Sequence, residues 1–192
     1  MDAYESAPLS RRSLLACAVS LGALTIVRVA RAAPLLSAAA PAATVTIENF
    51  TASGHSAGTA TVPRVVKSEA EWRAQLSPLA FEVTRHEATE PPFSGALDHN
   101  YANGLYSCVC CGTMLFDSRT KFDSGTGWPS FYQPISRLNV LESSDRSLGM
   151  VRTAVSCKRC AAHLGHVFDD GPRPTGLRYC MNSVSLVFAA RA

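Results

Sequence analysis

The seven cysteines of this 192-residue chain fall into a pattern that can do chemistry. Cys108 and Cys111 form one Cys-x-x-Cys pair, Cys157 and Cys160 a second, and Cys180 stands alone near the C-terminus. Two such pairs offer four thiolates, the donor set of a structural zinc, because a tight turn aims both sulfurs of a pair at one ion. Soft thiolates in a tetrahedral cage favour zinc over harder cations. The stretch from Cys111 to Cys157 is too long for a compact ribbon, so the ion is expected to join two distant hairpins. The alternative is a pair of disulfides, each closing a very small loop with little entropic gain. Cys110 is left over and is expected to pack away from the cage.

Cys180 sits in Arg178-Tyr179-Cys180-Met181-Asn182-Ser183, a strand-like run. Alternation puts Arg178, Cys180 and Asn182 on one face, with Tyr179 and Met181 on the other. An ordinary cysteine is only about 3% thiolate at neutral pH, and Arg178 is expected to supply part of the stabilisation that raises this fraction. Local sequence leaves a reactive thiol and a buried inert one equally open. His163 and His166 follow Cys160 closely; with four cysteines completing the cage, both imidazoles are free for acid–base work near neutral pH. Ser124-Gly125-Thr126-Gly127-Trp128-Pro129-Ser130-Phe131 is a glycine-hinged loop presenting an indole, either as a wall for a small apolar group such as a thioether methyl or as core.

The elements that must position these residues lie mostly after Pro63. Ser68-Glu69-Ala70-Glu71 is a capping box opening a short helix with Trp72 and Leu76 on one stripe, and Ser77-Pro78 ends it. Leu79 to Val83 adds a further helical turn. Asn103-Gly104 reads as a hairpin turn before Leu105, and Met150 to Val155 and the run around Val184, Leu186 and Phe188 alternate as strands. Short strands between Gly- and Pro-rich loops give a mainly β domain with one or two small helices. Its limited core calls for a staple.

The N-terminus reads as an address. Arg11-Arg12 leads into an uncharged run from Leu14 to Val27, about 21 Å as a helix against a hydrocarbon layer of roughly 30 Å. Ala30-Arg31-Ala32 offers a cleavage site, so residues 1–32 resemble a bacterial twin-arginine export signal and imply a periplasmic or otherwise exported protein. A lipoprotein box at Leu14–Cys17 and an uncleaved anchor are the competing readings. Residues 33–62, rich in Ala, Ser, Thr and Pro, are expected to form a flexible linker in which only Val45–Phe50 has strand character. Net charge is +3, of which residues 1–32 carry an excess of two, so the remainder is near neutral and no nucleic-acid surface is expected.

The runs Thr89–Phe93, Lys121–Phe131, Ala162–Phe168, Asp170–Gly176 and Arg178–Ser183, with the two cysteine pairs, together resemble the methionine-R-sulfoxide reductase B family over roughly residues 63–190. The resemblance implies a tent-like domain of two antiparallel sheets over residues 63–192, stapled by a four-cysteine zinc site. It implies that Cys180 attacks the sulfoxide sulfur and becomes a sulfenic acid while His163 or His166 protonates the oxygen. Trp128 would line the pocket around the methyl group, with Arg178 and Asn182 ordering the site. Oxidised proteins would be the substrates, a thioredoxin-like or other thiol the reductant, and protein repair under oxidative stress the role. A monomer without stable membrane contact after cleavage is expected. One departure stands out: many members carry a resolving cysteine where this chain has Thr126, so either an external thiol reduces Cys180 directly, which is the expected route, or Cys110, the only spare cysteine of the mature chain, substitutes for it. A zinc-stapled binding module, and another thiol enzyme on a similar fold, are the competing classes.

Overall fold

The computed structural model describes residues 43–149 and 151–191. The signal assigned to residues 1–32, its cleavage site, Cys17 and the first part of the linker lie outside them. No helix among the described residues is long and apolar enough to cross a membrane.

Two helices come first in the body of the domain: α1 (Glu69–Gln75) and α2 (Pro78–His86). Ser68 caps α1 as its sequence demands: its hydroxyl accepts from the Glu71 N–H at 3.3 Å, and its own N–H donates to the Glu71 carboxylate at 2.8 Å. Ser77-Pro78 ends α1 and also starts α2. The Ser77 hydroxyl accepts from the Ala80 N–H at 3.2 Å, and proline at the first helical position gives up no needed donor. α2 therefore runs longer than the single turn expected, burying Ala80, Phe81, Val83 and Thr84.

The rest is antiparallel sheet. Strands β3 (Gly104–Cys108), β4 (Met114–Asp117) and β11 (Leu186–Ala190) form a three-stranded sheet in the order β11-β3-β4. Strands β5 (Lys121–Phe122), β6 (Ser130–Phe131), β7 (Val140–Asp145), β8 (Arg152–Cys157), β9 (His163–Phe168) and β10 (Arg178–Met181) form a six-stranded sheet. Its order is β5-β6-β10-β9-β8-β7. Aromatic rings from both sheets form the core. Phe131 stacks on Phe116 at 4.4 Å and meets Tyr106 edge-on at 5.0 Å, and Tyr179 closes the cluster 6.0 Å from Phe116. This is the mainly β, two-helix domain expected, with two principal sheets.

Two expectations need correction. The 33–62 span is not a flexible linker throughout: β1 (Thr44–Phe50) and β2 (Ser56–Pro63) pair as a hairpin, a third sheet among the described residues. Ile47 is buried, and the fully buried Asn139 holds β1 as a neighbouring strand would. The Asn139 amide donates to Glu48 O at 2.9 Å and Met114 O at 2.7 Å, and its oxygen accepts from Glu48 N at 2.8 Å. Composition suggested a linker because the partner that orders the segment lies 91 residues away. Nor is Asn103-Gly104 a hairpin turn. The residues leading into it form no strand, and Asn103 instead accepts from the backbone and side chain of Arg191.

Candidate functional site

At one end of the domain the two Cys-x-x-Cys turns face each other. They are built alike. Gly112 N donates to Cys108 O at 2.8 Å and Ala161 N to Cys157 O at 2.9 Å, while Cys108 N reaches Thr113 O and Cys157 N reaches Ala162 O. Gly112 and Ala161, each just after its second cysteine, are left-handed, with φ of 73° and 55°. The sulfurs of Cys108, Cys111, Cys157 and Cys160 all lie within 4.8 Å of one another. The close pairs cross between turns, Cys108 to Cys160 at 3.6 Å and Cys111 to Cys157 at 3.5 Å, and no described cysteine is in a disulfide. A tetrahedral zinc with sulfur ligands at about 2.3 Å separates its sulfurs by about 3.8 Å, so the set fits that ion closely. Cys108 ends β3 and Cys157 ends β8, so the ion would tie the two principal sheets together. Cys110 is buried in the same core cluster as Cys108, Cys157 and Cys160.

Cys180 lies elsewhere, on β10 between β6 and β9, paired in register with Ser130 and His166. Close approach of β9 needs a glycine at the next position, since a Cβ on Gly165 would sit 2.1 Å from the Cys180 carbonyl oxygen. The thiol opens into a cavity of about 110 Å³. Trp128, Phe168 and Met181 give it apolar walls, and His166, Asn182, Arg152 and Thr89 give it polar atoms. The Thr126 hydroxyl stands 3.9 Å from the Cys180 sulfur, in a chain of hydroxyls running through Ser124 to Ser130 at 2.8 Å per step. Burial pushes the Cys180 thiol up, with Thr126, Arg178 and Ser130 pulling the other way. The expected lowering by Arg178 is thus present but outweighed.

Four of the predicted residues, Cys180, His166, Trp128 and Asn182, meet in this cavity; His163 and Arg178 do not line it. The Arg178 guanidinium is committed to Asp170 in a two-point pair at 2.8 and 2.7 Å and lies over the Phe168 ring. It flanks the thiol as a charge and supports a wall. His163 is buried behind the cavity, ring centroids 5.2 Å from His166, and burial lowers its pKa to about 4, so it is neutral near pH 7.

Three further residues organise the site. Asp145 lies 2.8 Å from His166 Nε2 and 2.7 Å from Arg152 Nη2. The Ser147 hydroxyl and N–H, followed by His166, hold its carboxyl well below the usual range. Asp145 and Arg152 are direct cross-strand partners on β7 and β8, a pairing legible only once the register is known. Glu90 is 1% exposed, and its carboxylate accepts from Ser183 N at 2.6 Å and Val184 N at 3.0 Å. Its own N–H donates to Asn182 Oδ1 at 2.9 Å, and its carbonyl accepts from the Trp128 indole at 3.1 Å. A glutamate followed by two prolines reads only as a rigid loop, so nothing local in the sequence marks this role. Glu90→Gln turns an amide donor towards one of the two N–H groups, and equilibrium denaturation should show a loss of about 1–3 kcal/mol.

The SelR domain family matches residues 76–190. The chain is 58% identical over 127 residues to a peptide methionine sulfoxide reductase MsrB of Herminiimonas arsenicoxydans, an alignment covering 66% of this chain and 93% of that protein. It is 56% identical over 128 residues to the MsrB of Pseudomonas fluorescens, covering 67% and 98%. To the MsrB of Bradyrhizobium diazoefficiens it is 56% identical over 123 residues, covering 64% and 88%.

Proposed function

The chain belongs to the methionine-R-sulfoxide reductase B family and is a peptide-methionine (R)-S-oxide reductase, and from that premise we propose that the reaction runs through Cys180 by a one-cysteine route. The observation carrying this reading is the Cys180 sulfur at a small cavity walled by Trp128 and edged by the His166 imidazole. The methyl group of the sulfoxide packs against Trp128. The Cys180 thiolate attacks the sulfoxide sulfur as the oxygen takes up a proton from His166, whose ring Asp145 orients. Methionine leaves with two more electrons, and Cys180 keeps the oxygen as a sulfenic acid. Two equivalents of an external thiol then return Cys180 to the thiol, releasing water and a disulfide. Asn182, held by Glu90 and by Leu164 O, keeps the cavity edge in place.

Direct reduction by an external thiol is favoured because Thr126, not a cysteine, faces Cys180, while Cys110 is buried with the metal cage. The cage itself, Cys108, Cys111, Cys157 and Cys160, would hold a structural zinc that takes no part in the chemistry. Export through the twin-arginine signal and repair of oxidised proteins outside the cytoplasm complete the proposal; the near-neutral body of the chain accords with varied protein clients rather than nucleic acid.

The test is turnover of separated R and S diastereomers of a blocked methionine sulfoxide with dithiothreitol, with mass spectrometry of the enzyme after one oxidising cycle. Turnover of R alone, with Cys180 trapped as a sulfenic acid, is expected. A Cys110–Cys180 disulfide would sink the one-cysteine route, and failure to turn over either diastereomer would sink the catalytic role of Cys180.

A further inference from the structure

Phe93 combines two features that the fold does not need. It is 64% exposed, and its φ of 60° places a bulky aromatic residue in the left-handed region that glycine and asparagine tolerate far better. Strain and exposure combined at one residue mark a position whose side chain serves something outside the fold.

Its placement is firm. Glu90, three residues earlier, is fixed by four hydrogen bonds to Asn182, Trp128, Ser183 and Val184. The Ser94 hydroxyl donates back to Pro91 O at 2.6 Å, and the Phe93 N–H donates to Gly127 O at 2.8 Å. The ring lies against Gly127 so closely that a Cβ there would meet ring carbon Cδ2 at 2.8 Å and the Phe93 nitrogen at 2.6 Å. Gly127 is flanked by Thr126, which touches Cys180, and by Trp128, a wall of the cavity. Phe93 is thus an exposed aromatic surface continuous with the sulfoxide site yet absent from its lining.

The cavity of about 110 Å³ accommodates a methyl sulfoxide group and little more, so the polypeptide carrying an oxidised methionine must lie across the rim. We propose that Phe93 is a specificity-determining contact for that polypeptide, packing on the residues that flank the oxidised methionine and favouring peptide-bound over single-residue substrate. The inference rests on the reductase reading above, and its test is chosen to fail separately from it.

Phe93→Asn keeps the left-handed backbone and removes the ring; Phe93→Tyr keeps the ring. In dithiothreitol-driven assays, Phe93→Asn is expected to raise KM for a ten-residue peptide with a central methionine-R-sulfoxide about 3- to 10-fold, the scale of one aromatic contact. KM for an N-acetylated, amidated single methionine-R-sulfoxide should move less than about 2-fold on the same scale. Phe93→Tyr should restore the peptide KM, and the thermal midpoint of Phe93→Asn should be no lower than that of the parent because the strain is relieved. Parallel changes for the two substrates, or no change for either, would overturn the proposal. So would an effect appearing only when a protein thiol reductant replaces dithiothreitol, since that would assign Phe93 to the reductant. A parent enzyme inactive on both the peptide and the blocked residue would strike the reductase reading instead.

Discussion

Cys180→Ser is expected to lower turnover of methionine-R-sulfoxide by at least about a thousandfold while the fold and the metal stay in place. The substitution is nearly isosteric, and β10 is held on both sides, by β6 and by β9, so the backbone has little reason to move. What disappears is the nucleophile: a serine hydroxyl beside no strong base is a far poorer attacker than a thiolate. Steady-state assays with dithiothreitol, alongside metal content and thermal melting, separate loss of chemistry from loss of structure. A variant that retained a tenth of the parent activity would remove Cys180 from the reaction.

The same thiol makes a pH prediction with a definite sign. Burial raises its pKa, with Thr126, Arg178 and Ser130 offsetting part of the rise. The free enzyme therefore holds less thiolate at neutral pH than an ordinary cysteine does. Alkylation of Cys180 by iodoacetamide should climb about tenfold per pH unit through neutrality and level off only above the ordinary cysteine range. A plateau already at pH 6 would mean that the thiolate is stabilised by something the geometry does not contain. Arg178 is the group most expected to do this from sequence, but its guanidinium is tied to Asp170 at two points.

That reversal shows what the sequence could and could not carry. Cysteine spacing was legible because zinc ligation depends on donor type and local turn geometry, and both are written within four residues. The face shared by Arg178 and Cys180 was legible because strand alternation is local too. His163 and His166 looked equivalent, since nothing in their spacing says which ring borders a cavity and which lies buried behind it. Asp145, Arg152 and Glu90 were invisible as site residues because their roles depend on partners brought together by register and loop packing. Glu90 reaches Ser183, 93 residues on. The β1–β2 hairpin failed for the same reason: its anchor, Asn139, belongs to a distant loop, and Ala, Ser and Thr composition argued for a tether.

Removing the metal should have the largest effect on stability. Cys108 and Cys157 close strands from the two principal sheets, and the crossed sulfur contacts at 3.5 and 3.6 Å mean that neither turn can keep its arrangement without the other. Four sulfurs this close cannot all remain thiolates once the ion is gone; protons must replace it, and weak thiol contacts stand in for metal–sulfur bonds. A structural zinc supplies on the order of 10 kcal/mol, as much as a whole domain's usual margin of about 5–15 kcal/mol. Cys157→Ser, or prolonged dialysis against a strong zinc chelator under reducing conditions, is therefore expected to leave the chain unfolded or molten at 37 °C. Near-ultraviolet circular dichroism would be lost, and activity would disappear with it. The parent should carry close to one zinc per chain by elemental analysis. Activity loss alone would not separate this from damage to the thiol pocket, so the deciding readout is the melting transition of the Cys180→Ser protein before and after chelation. If that transition is unchanged by chelation, the two sheets are held by their aromatic core alone, and the cysteine cage is not the staple its geometry implies.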